Sequence, residues 1–119
     1  MIEPIRHAPI AFLGLSACGF STKGREPWLQ DPVLRGECHA FLGGVSKQLD
    51  CPSVIVGGVE DHVHLLARFG RGVTQSDWVK ELKRVSNRWI KERDGRLAGF
   101  AWQGGIFSEL AFLTWGAPF

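Results

Sequence analysis

Two apolar, β-branched runs, Ser53–Val59 and His62–Phe69, stand two residues apart, separated by Glu60-Asp61. A connection this short suits a hairpin of antiparallel neighbours, because parallel strands need a crossover of a dozen residues or more. The chain therefore builds around an antiparallel sheet, and that sheet needs other elements to cover its apolar face.

Helical patterns stand on both sides of the hairpin. Before it, Asp31-Pro32 offers a capping carboxylate followed by a proline at the first helical position. Leu34, Cys38, Phe41, Leu42, Val45 and Leu49 then fall on one helical face, and Asp50-Cys51-Pro52 ends the pattern. Gly36, Gly43 and Gly44 weaken this helix by up to about 1 kcal/mol each relative to alanine. After the hairpin, Thr74 caps a second helix with Asp77 three residues on, and Gly95 is a natural stop. Trp78, Val79, Leu82, Val85, Trp89 and Ile90 form its apolar stripe. Ala8–Ser21 reads as a first strand and Phe100–Phe107 as a last one, with Thr22–Pro27 a charged loop. The predicted fold class is α+β: a ferredoxin-like β-α-β-β-α-β order, an antiparallel sheet with both helices packed on one face.

At 119 residues this is a single domain, 1–119, large enough to hold a core without staples. The net charge is only +2, so any nucleic-acid surface must come from local clustering. Cys18, Cys38 and Cys51 are odd in number and widely spaced, which argues against a zinc ribbon or a disulfide framework and favours buried thiols in a reducing cytosol. Leu15-Ser16-Ala17-Cys18 looks like a lipoprotein cleavage box. Glu3 and Pro4 make a poor leader before it, so the apolar run reads better as a buried strand. No segment is long and apolar enough to span a membrane, and the expected location is cytoplasmic.

The chemistry concentrates in the second strand of the hairpin. His62 and His64 are separated by one residue, so on a strand both imidazoles leave from the same face. That is a spacing at which two rings can share one metal ion, with Asp61 at the strand start able to bend toward them. Two adjacent histidines on a solvated sheet face are the plainer alternative. A cupin-like metal site would want a glutamate where Arg68-Phe69 stand, and a two-histidine phosphoesterase would need a second His-x-Ser/Thr element, which the chain lacks. A histidine–hydrophobe–histidine nuclease needs neither.

Four segments carry a closer resemblance. Gly57-Gly58-Val59-Glu60-Asp61-His62-Val63-His64-Leu65-Leu66 resembles the core motif of the single-tyrosine HUH transposases of small bacterial insertion sequences and their REP-associated relatives. Phe20–Pro27 resembles the end of that family's first strand, Leu82–Ile90 its first helix after the motif, and Phe100–Gly105 with Phe107-Ser108 its next strand. The likeness runs from about Phe20 to Ser108. It implies metal-dependent cleavage and rejoining of single-stranded DNA in transposition. By the same resemblance, His62 and His64 hold Mg²⁺ or Mn²⁺, and Asp61, from its place at the strand start, is a candidate further ligand. The family implies a homodimer that recognises single-stranded or hairpin DNA, with a tyrosine as nucleophile and a glutamine as further metal ligand.

The chain contains no tyrosine at all. No catalytic residue can therefore be assigned to the nucleophile role, and Ser86 and Ser108 lack an evident activating base. After Ser108 the family pattern is lost, as it is from Met1 through Gly19, which reads as a degenerate or frame-shifted element lacking the tyrosine helix. The expectation is a transposase-like DNA binder with weak metal affinity and no turnover. Two alternatives stand beside it: a non-catalytic nucleic-acid-binding regulator, and a metal-dependent hydrolase using water. The expected DNA contacts are Lys23 and Arg25 in the loop, and Lys80, Lys83, Arg84 and Arg88 opposite the second helix's apolar stripe. Asp77, Glu81, Glu92 and Asp94 dilute that positive face. Trp78 and Trp89 fit core packing better than base stacking.

Overall fold

The computed structural model describes residues 15–70 and 72–104. The elements follow the order β1 (Leu15–Ser21), a 3-10 turn (Lys23–Arg25), α1 (Pro32–Gln48), β2 (Ser53–Val59), β3 (His62–Arg68), α2 (Gln75–Arg93) and a second 3-10 turn (Gly95–Leu97). Both hairpin strands and both helices fall where the sequence pattern puts them. The Ala8–Ser21 strand is seen as Leu15–Ser21, its earlier part lying outside the described residues.

The sheet has three antiparallel strands in the order β1-β3-β2, so the strand bearing the two histidines is central. The predicted last strand differs. Among residues 100–104 one bridge joins Trp102 to Thr22, and residues 105–107 lie outside the described part. That bridge lies on the far side of β1, where a ferredoxin-like plan puts its fourth strand. Gly95 does not stop α2 in a left-handed cap. Asp94 closes the helix in an extended conformation, and its carboxylate accepts from Arg96 N–H to start the next turn.

Side-chain alternation divides the sheet. Phe20 stands opposite Val63 and Cys18 opposite Leu65, and these four join a core with Leu34, Cys38, Leu42 and Val45 of α1 and Trp78, Val79, Leu82 and Ile90 of α2. Both helices therefore cover one face, giving the α+β class. Each helix begins on a side-chain cap: Asp31 accepts from Val33 N–H at 3.0 Å, and Thr74 from Asp77 N–H at 3.0 Å. Trp78 is buried and donates its indole N–H to Ser46 Oγ at 2.8 Å, while Trp89 stacks on Phe41 at 4.9 Å. All three cysteines are free and buried. Burial pushes the Cys18 and Cys38 thiols up to about 12, Lys83 opposing it at Cys18, so neither is a reactive thiolate. Cys18 pairs across to Leu65 in the sheet, which favours the buried-strand reading of its segment. Among the described residues no helix is long and apolar enough to cross a membrane.

Candidate functional site

The faces of β3 decide what surrounds the histidines. Val63, Leu65 and Ala67 point to the helices, so His62 and His64 share the opposite face. In the ladder His64 lies between Gly19 on β1 and Gly57 on β2. The rings of His62 and His64 are 6.0 Å apart, nearly perpendicular at 78°. His64 is buried, and its pKa falls to about 4; burial is the largest cause, followed by the neighbouring charges of His62 and His39. A buried imidazole kept neutral is in the protonation state that binds a metal.

Asp61 ends the tight turn after β2. Its Oδ1 lies 2.8 Å from His62 Nδ1 and its Oδ2 accepts from Arg25 Nε at 3.0 Å. Burial pulls this carboxyl's pKa upward, but the hydrogen bonds and charges of Arg25 and His62 outweigh it and hold it below its ordinary value. The carboxylate thus spans two cationic or donor groups. Asp61 faces Nδ1 of His62, the place that carboxylates behind metal-binding imidazoles take. Among the described residues, no group of three histidine, cysteine, aspartate or glutamate side chains is gathered closely enough to hold an ion. The donor set still suits a divalent transition ion as a two-imidazole half-site: same-face rings, one kept neutral by burial, the other backed by a carboxylate.

The loop after β1 is tied to this turn. Thr22 is fully buried; its N–H donates to the Asp61 carbonyl at 2.9 Å and its hydroxyl to the Glu26 carbonyl at 2.7 Å, with the Asp61 carbonyl a longer 3.2 Å away, while Leu29 N–H donates to the Glu60 carbonyl at 2.9 Å. Between these anchors Gly24 and Arg25 both adopt left-handed backbone, at φ 65° and 57°. For Arg25 that costs about 1–2 kcal/mol, because its Cβ crowds the following carbonyl.

The predicted DNA-contacting cations divide into groups. Lys80, Lys83 and Arg84 come together along a groove of about 380 Å³ whose other lining residues include Asn87, Trp102 and Gln103. Lys83 donates to the Gln103 carbonyl at 2.7 Å and stands 5.4 Å over the Phe20 ring. Burial lowers its pKa, with Cys18 opposing. Arg84 is ion-paired with Glu81. Lys23 is exposed in the loop, its N–H bonded to the Ala101 carbonyl. Arg88 is exposed but does not line the groove. Asn87 and Gln103 were invisible as groove residues in the sequence. They meet because Trp102 bridges to Thr22 and donates its indole N–H to Ser86 at 3.0 Å, and because Gln103 Oε1 accepts from Gly24 N–H at 3.3 Å.

The α+β fold, with its histidine–hydrophobe–histidine pair on the central antiparallel strand, is the arrangement that the transposase resemblance implies. Residues 18–112 match the family described as IS200-like transposases, and the chain belongs to that family. The match begins two residues before the recognisable sequence islands and extends four beyond them, through Phe112. Among solved structures the chain is similar to a protein from Deinococcus radiodurans R1 assigned as a transposase, whose crystal structure was determined at 1.90 Å. That likeness has a TM-score of 0.71 and 26% sequence identity, covering 78% of this chain and 75% of that one. No curated protein sequence matches. Family and fold together give the chain a transposase-like function.

Proposed function

We propose that this chain binds single-stranded or hairpin DNA across the face carrying His62 and His64, with one Mg²⁺ or Mn²⁺ between those imidazoles, and that its 119 residues form no covalent link to the DNA. The observation that carries this reading is the same-face histidine pair on the central strand of an IS200-like fold. His62 would bind through Nε2, since Asp61 faces Nδ1. When bound, the ion would polarise a phosphate oxygen. In the loop beside that face Lys23 and Arg25 supply phosphate contacts, while Lys80, Lys83 and Arg84, in their groove on the helix side of the sheet, would meet the DNA where it passes round the β1 edge. A phosphodiester exchange that keeps the bond energy requires a protein nucleophile, and the family's tyrosine has no counterpart among these residues.

The test uses labelled hairpin DNA with the protein and Mn²⁺ over a salt series, on native and denaturing gels. The expected result is a native complex that weakens with salt and no protease-sensitive band under denaturing conditions. If three cations each neutralise one phosphate of a single strand, the log–log salt slope is roughly −2. A covalent band would overturn the missing-nucleophile argument. Cutting without an adduct would favour the water-using hydrolase, and absent or salt-insensitive binding would remove the DNA role. Calorimetry with Mn²⁺ is expected to give heats that His62→Ala/His64→Ala abolishes; identical heats would remove the metal site.

A further inference from the structure

We infer that Arg25 is a positioning residue for His62: by holding the Asp61 carboxylate, it fixes the tautomer and ring orientation of the histidine. This inference takes the metal reading of His62 as its setting, yet its first readout needs no metal.

The geometry is a relay of two contacts. Arg25 Nε–H meets Asp61 Oδ2 at 3.0 Å, and Asp61 Oδ1 meets His62 Nδ1 at 2.8 Å. A carboxylate accepts only, so in the neutral ring the proton stands on Nδ1 and the Nε2 lone pair becomes the donor for an ion. A carboxylate held through one oxygen alone can still rotate. One held through both oxygens has its plane set, and with it the plane of the imidazole.

The backbone is arranged for this contact. Thr22 and Leu29 clamp the loop to the Glu60-Asp61 turn through two backbone hydrogen bonds. Inside that clamp the chain reverses through two left-handed residues, and the second is Arg25 at φ 57°. Glycine at position 25 would adopt that conformation without the Cβ penalty. The strain coincides with the residue whose side chain reaches Asp61, which suggests that the guanidinium is required there. Sequence reading assigned Arg25 to a phosphate. In the structure its Nε is committed to Asp61, while the side chain stays 55% exposed, so its outer nitrogens remain able to meet a phosphate as well.

The experiment compares Arg25→Gly and Arg25→Lys with the native chain. Arg25→Gly removes the guanidinium while relaxing the backbone, so its thermal midpoint should match or exceed the native one. Nitrogen-15 NMR of the imidazoles, in metal-free alkaline buffer, reads the tautomer directly. The native His62 should show its proton on Nδ1. Arg25→Gly should shift the pattern to a mixture of tautomers, and Arg25→Lys, which keeps a cationic donor, should largely restore it. Mn²⁺ affinity should fall about 10-fold or more in Arg25→Gly, the usual size of an outer-shell loss. An unchanged His62 pattern in a folded Arg25→Gly protein overturns the inference. A changed pattern in a chain that binds no Mn²⁺ upholds Arg25 as the positioning residue and removes the metal reading instead.

Discussion

His39, on α1, is a titratable group that the proposed chemistry does not use. Its Nε2 is buried with no hydrogen-bond partner among the described residues. Burial, then the charge of Arg35, holds its pKa below 6.5. His64 is depressed in the same sense, to about 4. In each case the unfolded chain binds the proton more readily than the folded one. The corresponding stability is therefore fully present above about pH 6.5 and is lost as the pH falls through the folded-state values. Denaturant unfolding at about pH 7.5 and about pH 5 should show a clear loss at the lower pH. His39→Leu should lose less over that interval, because one of the two groups is gone. It should not be weaker at the higher pH, since it also removes a buried polar atom lacking a partner. Equal losses in the native and His39→Leu proteins would show that His39 does not contribute.

At the scale of elements, the hairpin is the part whose geometry tolerates least. Gly58 has φ 153°, and a Cβ there would press on the His62 carbonyl and approach Val63 Cα to 2.8 Å. Both obstacles are backbone of the strand that carries the histidines, so neither can swing aside. Gly58→Ala should cost about 2 kcal/mol or more in denaturant unfolding. Gly44 meets nothing within 4 Å and lies mid-helix, so Gly44→Ala should gain up to about 1 kcal/mol. Asp31→Ala should lose about 1 kcal/mol with the α1 cap. These elements were legible from sequence because their signals are local: Asp31-Pro32 and Thr74 at helix starts, a two-residue gap at the hairpin, periodic apolar stripes. The same-face pairing of His62 and His64 was equally legible, since strand alternation alone implies it. What the sequence did not disclose depends on distant segments meeting. Arg25 and Asp61 are 36 positions apart, and Gln103 reaches Gly24 across 79. Among residues 100–104 the expected last strand is one bridge, although Phe100 and Trp102 look strand-like. In the structure they serve as core and bridge residues, packing edge-to-face at 4.8 Å, with Trp102 against Phe20 at 4.7 Å.

For the whole molecule, the open question is what borders the sheet. Among the described residues β2 pairs on one side with β3 and forms an edge, and it carries exposed Val54, Ile55 and Val59. An apolar edge strand is a template for pairing with another chain, and soluble proteins usually blunt such edges with charge, proline or a covering element. None of the seven residues from Ser53 to Val59 is charged or a proline. A second copy of this chain fits the edge in chemistry and in symmetry. Two β2 strands related by a two-fold axis run antiparallel, exchange backbone hydrogen bonds and bring their valines together. The homodimer implied by the family resemblance is thus expected to use β2. Light scattering at micromolar concentration should give twice the chain's mass. Val54→Lys adds charge at the most exposed apolar position of the strand, at 54%, so it should yield a monomer with an unchanged fold by circular dichroism. A native monomer would remove the dimer, and a Val54→Lys protein that stays dimeric would move the interface to another surface.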